Sequence, residues 1–240
     1  MKDELSLAAA RKIAAVRPKP AATLVLIDHS GRAPKVLMGR RHPDHVFMPD
    51  KYVFPGGRVE PLDRHVAIAR PLHRTVEEKL LKRVARPSPA RARAQALAAI
   101  RETFEETGLA LGATAFGTPP RPPSGAWAEF AATGVLPSLD NLHFVARAIT
   151  PPNFARRFDT VFFCTDASAI AAEVGGKVGP SRELVEIVWV PLREAQDLDM
   201  IDITGFVLKE VQNRMALGMH HDLPVPFYHG PVGRRIRDTL

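Results

Sequence analysis

Short apolar runs alternate with charged, proline-punctuated stretches along the chain, and their spacing predicts strands and helices in turn. Ala21-Ala-Thr-Leu-Val-Leu-Ile-Asp28 is a continuous apolar run of strand length; His29-Ser-Gly31 turns, and Lys35-Val-Leu-Met38 returns as the second arm of a hairpin. Leu142 to Ile149 and Asp159 to Thr165 read as two more strands joined through Thr150-Pro-Pro. Glu183 to Leu192 reads as another, followed by a short helix near Arg193. Helical patterns occupy residues 3 to 16, where Leu5, Ala9, Ile13 and Val16 share a face, so residues 1–18 are expected to add an N-terminal helix. A final helix is expected from Thr204, as its cap, to Leu217, followed by His220 and His221 as surface residues and an irregular, proline-bearing tail over residues 222–240.

The most informative helix begins at Ser88-Pro89, a capping serine with proline in the first turn, and ends at Gly108. At about 100° per residue, Leu97, Ile100 and Phe104 fall within an arc of roughly 60°, while Glu102, Glu105 and Glu106 fall opposite. That helix packs on its apolar stripe and presents three acids. Ahead of it lies Val53-Phe-Pro-Gly-Gly57, an apolar run ended by paired glycines that let backbone approach an ion or phosphate where a Cβ would block it. Three carboxylates within five residues repel one another unless a cation sits among them. A hard divalent cation is the natural partner, since magnesium takes oxygen ligands from one or two carboxylates, substrate phosphates and water.

Between these pieces, residues 64–93 contain Val66, Ile68, Leu72, Val76, Leu80, Leu81 and Val84, broken by Pro71, which predicts one or two short helices. Nine basic residues stand there against Glu77 and Glu78, so this segment alone accounts for the formal net charge of +7. Its basic face suits either attraction of polyanions to an adjacent site or a solvated surface. The composition, 45% hydrophobic and 25% charged, is that of a globular protein, and 240 residues are enough for one domain with additions. No apolar run approaches the roughly 18 residues that span a bilayer. The start lacks a secretory pattern and Cys164 is the single cysteine, so a cytoplasmic setting is expected. Nucleotide-loop, dinucleotide, zinc and nucleophile-elbow motifs are absent.

Gly57, Arg101-Glu102, Glu105-Glu106 and Gly108-Leu109 resemble the Nudix box, G-x5-E-x7-R-E-U-x-E-E-x-G-U, where U is a bulky aliphatic residue. Asp63 stands where the first glutamate is expected, Thr103 fills the first U position, and residues 64–100 separate Asp63 from Arg101 where the family has seven. An insertion inside the box resembles the peroxisomal coenzyme A diphosphatase branch, as do Phe47-Met-Pro and Arg156-Arg-Phe-Asp-Thr160. An upstream signature of that branch is matched only near Leu37 and Arg41.

The resemblance implies an α/β Nudix fold, a mixed β-sheet in an α/β/α sandwich, here with a helical insertion and extra terminal helices in a single domain over residues 1–240. It implies a pyrophosphohydrolase that uses Mg2+ or Mn2+ on a nucleoside diphosphate linked to another moiety, with coenzyme A or acyl-coenzyme A favoured. ADP-ribose or another nucleotide sugar is the alternative substrate, and a non-catalytic nucleotide- or RNA-binding module the alternative class. Glu102, Glu105 and Glu106, with the Gly57 carbonyl, are the implied metal ligands; Glu105, Arg101 and Glu102 are the implied catalytic residues. Arg101 would orient the glutamates with Asp63 as its partner, and Gly56 and Gly108 would support the turn and the helix end. Arg41, Arg156 and Arg157 are candidates for substrate contact, and Glu183 for a further acid. The expected partner is a small molecule rather than nucleic acid or membrane; the sequence allows a homodimer without fixing the oligomeric state.

Overall fold

A computed structural model describes residues 16–44, 48–114, 124–152 and 154–240. The expected N-terminal helix lies almost wholly outside them, as do Phe47 and the prolines at 119–123. Strands β1 (Lys19–Asp28) and β2 (Lys35–Arg41) form the expected hairpin, and β3 (Tyr52–Val53) and β4 (Gly56–Arg58) carry the glycine turn. The insertion supplies one helix, α1 (Arg74–Leu80), before the acidic helix α2 (Pro89–Thr107); β5 (Leu109–Leu111) and α3 (Ala126–Ala132) follow. Then come β6 (His143–Ile149), β7 (Phe158–Asp166), β8 (Ile170–Glu173), β9 (Leu184–Pro191), α4 (Asp202–Ala216), β10 (Pro226–His229) and β11 (Ile236–Thr239).

The main sheet runs β11-β10-β6-β7-β1-β2-β3, with β4 also on β1 and β9 also on β2; β5 and β8 form a separate pair. It is mixed: β1–β7 and β6–β10 are parallel and the other pairs antiparallel. Both faces are covered. Ala22, Leu24 and Leu26 of β1 enter the cluster beneath α1, α2 and α3, while Val25 and Ile27 enter the cluster beneath α4. Covering both faces explains why β1 reads as an unbroken apolar run rather than an alternating one. The result is the expected α/β/α sandwich. Among the described residues, no helix is long and apolar enough to cross a membrane.

Three expectations are corrected. The tail is not irregular, because β10 and β11 extend the main sheet through β6. Thr204 does not cap the last helix; that helix begins at Asp202 with Ile201 in the cap position, and Thr204 is buried. The two histidines after it are not both simple surface groups, since the His221 ring is stacked between His73 and His143 at 4.2 Å from each.

The insertion is packed and its cations are partly turned inward. Val66, Leu72, Val76 and Leu80 join the core. Lys79 is buried and donates from Nζ to the carbonyls of His221 (2.8 Å) and Leu223 (2.6 Å). Arg83 pairs with Asp238 of β11, and Arg93 donates to the Val66 carbonyl. From the sheet side, the Arg147 guanidinium grips Asp159 and donates to the Lys82 carbonyl (3.2 Å).

Candidate active site

Helix α2 starts as predicted: the Ser88 hydroxyl accepts from the Arg91 amide, with Pro89 in the first turn. It stops at Gly108, whose φ of 82° is left-handed and whose missing Cβ would lie 2.0 Å from the Val174 carbonyl oxygen. Thr103, the departure at an aliphatic position, is fully buried and donates its hydroxyl to the Ala99 carbonyl at 2.8 Å, so no polar atom is left unsatisfied.

Arg101 organises the acids. Its Nε donates to Asp63 Oδ1 (2.9 Å) and its Nη2 to Asp63 Oδ2 (3.2 Å) and the Arg58 carbonyl (2.7 Å). Its Nη1 donates to Glu102 (2.9 Å) and Glu105 (2.7 Å). Burial opposes the Arg101 charge, but Asp63, Glu102 and Glu105 outweigh it and hold the guanidinium more firmly protonated than usual. Asp63, fully buried, also accepts from the Trp127 indole (2.9 Å) and the Glu60 amide (2.7 Å). The shorter acid thus does what the longer one was expected to do, with a tryptophan as an additional partner.

Glu102 and Glu106 face the glycine turn. A Cβ on Gly57 would stand 2.5 Å from the Glu102 carboxyl group, so glycine here leaves that carboxyl group in place against the turn and any side chain would push it aside. The Gly56 amide donates to Glu106 at 3.3 Å. Burial, with repulsion from Glu105 and Glu183 outweighing the pull of Arg101, pushes Glu102 up to about 7. Burial, then Glu183 and Glu102, raise Glu106 well above the carboxylate range. These two acids with Glu60 and Glu183 line one end of a groove of about 960 Å3.

The groove separates the predicted residues. Arg41 lines it and pairs with Glu183 at 3.3 Å, and Arg156 lines it farther along. Arg157 does not: its guanidinium donates to the carbonyls of Thr150 (3.1 Å) and Val16 (2.7 Å), which ties the loop to the start of β1. Glu105 is turned to Arg101 and is absent from the groove lining, and none of residues 64–93 lines it. Sequence reasoning missed Trp127; its only signal was a large aromatic in a short helix.

The donor set fits a divalent cation of the magnesium kind. Glu106, buried, and Glu102, mostly buried, each carry repulsion from Glu183 that a cation would relieve, and their carboxylate oxygens are the donors a hard cation takes. Among the described residues, no three His, Cys, Asp or Glu side chains already converge as a metal cage.

No protein-family model matches the sequence, and no curated protein matches it at a significant level. Solved structures do. The crystal structure of a NUDIX hydrolase from Alicyclobacillus acidocaldarius is 28% identical, covering 81% of this chain and 91% of that one, with a TM-score of 0.59. The NUDIX domain of Shewanella oneidensis NrtR, complexed with ADP ribose, is 14% identical over 90% of this chain and 99% of that one, with a TM-score of 0.47. The MutT protein from Bacillus halodurans is 14% identical over 92% and 97%, with a TM-score of 0.45. The first likeness identifies the architecture as the Nudix fold and supports a hydrolase acting on pyrophosphate bonds; the other two are too distant to add to it.

Proposed function

We propose that this chain, Nudix in fold and in its structural neighbours, is a metal-dependent pyrophosphohydrolase that cleaves a nucleoside diphosphate linked to another moiety, with coenzyme A or acyl-coenzyme A as the favoured substrate. The observation that carries the reading is the pair of carboxylates, Glu106 buried and Glu102 mostly so, set against the Gly56-Gly57 turn in a large groove.

In the reaction, a water oxygen adds to one phosphorus, the bridging P–O bond breaks, and the water gives up a proton, leaving two phosphate monoesters. Bound magnesium or manganese would neutralise phosphate charge and acidify the water. Glu102 and Glu106, with Gly57 contributing a carbonyl, would hold it. Arg101 does not touch substrate; it fixes the helix acids from behind, and Asp63 with Trp127 fixes Arg101. Arg41, at the rim beside Glu183, is the proposed phosphate contact. Glu183 is better placed than Glu105 to take the proton, because it lines the groove while Glu105 is held by Arg101.

The RNA-binding alternative is weakened by the inward use of Lys79 and Arg93 and by the pairing of Arg83 with Asp238 in the basic segment. A cytoplasmic setting remains part of the proposal. Magnesium-dependent release of 3′,5′-ADP and 4′-phosphopantetheine from coenzyme A tests the substrate. Turnover of ADP-ribose with none of coenzyme A would overturn that assignment and leave the chemistry.

A further inference from the structure

Three histidines far apart in the sequence meet in one stack. His73 caps α1 in the insertion, His143 opens β6, and His221 lies in the link between α4 and β10. The His221 ring lies 4.2 Å from each of the other two and is tilted from them by only 16° and 14°, so the three imidazoles lie face to face. The same link has a second fastening, because buried Lys79 of α1 donates to the carbonyls of His221 and Leu223. The link leads directly into β10, whose Tyr228 and His229 line the groove.

The stack suits neutral rings and not charged ones. A protonated imidazole is a donor at both nitrogens. His73 Nδ1 accepts from the Thr75 amide at 3.3 Å, so a proton there removes the cap of α1. The Nδ1 atoms of His143 and His221 are buried without a hydrogen-bond partner among the described residues, and an N–H at either would be stranded. The surroundings offer added positive charge little relief. Lys79 acts on the stack from α1 and Arg214 from α4, where Glu210 is already paired with Arg214 at 2.8 Å. Cys164 of β7, opposite His143, is a thiol that burial pushes up to about 12. On the link itself His220 adds another imidazole, and Asp222, the acid that acts on His221, is exposed. Burial, then His221 and Arg214, hold His143 down to about 4; burial, then His73 and Lys79, lower His221.

We propose that the stack of His73, His221 and His143 is an acid-released clasp: with neutral rings it fastens the link between α4 and β10 to the insertion, and protonation frees that link and loosens the groove wall that β10 supplies. In the released form the rings meet water and take up protons near the ordinary histidine value of about 6.5. In the stack they resist protonation. The clasp is therefore closed above about pH 6.5 and opens progressively as pH falls below it, by up to about tenfold per pH unit for each histidine held neutral. None of the groove acids takes part, so the inference stands apart from the hydrolase reading.

The test is hydrogen exchange of the whole chain, read by mass spectrometry between about pH 7.5 and about pH 5 and corrected for the intrinsic exchange rate at each pH. Protection of residues 217–229 should fall at least about tenfold over that range, while the β5–β8 pair keeps its protection. The double variant His143→Phe, His221→Phe retains flat rings that bind no proton, and in it the loss should shrink below about threefold. If that variant does not fold, histidine side-chain NMR of the unaltered chain decides: the His143 and His221 signals should titrate together, over the same pH range in which protection of 217–229 is lost. Protection of 217–229 that is constant with pH, an equal loss in the variant, an equal loss at β5–β8, or histidine signals that titrate where protection is unchanged would each overturn the clasp.

Discussion

Asp63 and Arg101 are buried against each other with every oxygen of the aspartate engaged. Removing Asp63 takes the two-point partner from a buried arginine and leaves the Trp127 indole and the Glu60 amide without their acceptor, so Asp63→Ala should cost about 3–5 kcal/mol in urea unfolding. A loss below about 1 kcal/mol would show that the pair does not hold the helix acids. Gly57 works by having no side chain: Gly57→Ala forces Glu102 aside, and displacement of about 1 Å should lower turnover on the order of a hundredfold while the unfolding midpoint changes far less. Glu102 adds a pH dependence. Its pKa is raised from 4.5 to about 7, so between those values the folded chain holds the proton more tightly than the unfolded chain. This contribution to stability is full below about pH 4.5 and lost as pH rises through about 7. Glu102→Gln should flatten that part of the profile of unfolding midpoint against pH, measured with chelator present; an unchanged slope would assign it elsewhere. Glu102, Glu106, Gly57 and Gly108 stood out in the sequence because an acidic helix face, a paired-glycine turn and a helix-ending glycine are patterns of residue type and spacing, and the fold brings the two acids to that turn. Glu105, expected beside them as a metal ligand, is paired with Arg101, and spacing along one helix does not say which acid a neighbouring arginine engages.

At the scale of elements, the insertion and the C-terminal hairpin belong together. Asp238 of β11 accepts from Arg83 of the insertion and from His229 of β10 (2.8 Å), and His229 lines the groove. Asp238→Ala should therefore speed hydrogen exchange of the β10–β11 amides by about five- to thirtyfold, the scale of losing 1–2 kcal/mol of charged hydrogen bonding, with β5–β8 unaffected. Unchanged exchange at β10 would mean that the insertion does not brace the groove wall. The central strands and α2 were readable because burial imposes period and length on them. The hairpin was not: Pro224 and Pro226 mimic a loop, and β11 is a mostly exposed edge strand with no apolar alternation to detect. The basic segment was legible as helical and charged, but not the direction its cations face, since Lys79 reaches backbone carbonyls contributed from more than 140 positions away.

For the molecule as a whole, the sandwich places the acids and the glycine turn at one end of a groove whose other end is built from the hairpin. The net charge of +7 does not identify a polyanion site, because the segment that accounts for it lies off the groove. On the proposed function, the carboxylates at the glycine turn support hydrolysis of a diphosphate with a divalent metal. It is tested most directly by magnesium-dependent turnover over coenzyme A, acetyl-coenzyme A, ADP-ribose, NADH and diadenosine polyphosphates, for the unaltered chain and for Glu106→Gln. Turnover of at least one of these substrates is expected, abolished by chelator and lowered by about a hundredfold or more in Glu106→Gln, the scale of losing one group that stabilises transition-state charge. Absence of turnover on every substrate with magnesium and with manganese, or full activity in Glu106→Gln, would contradict it.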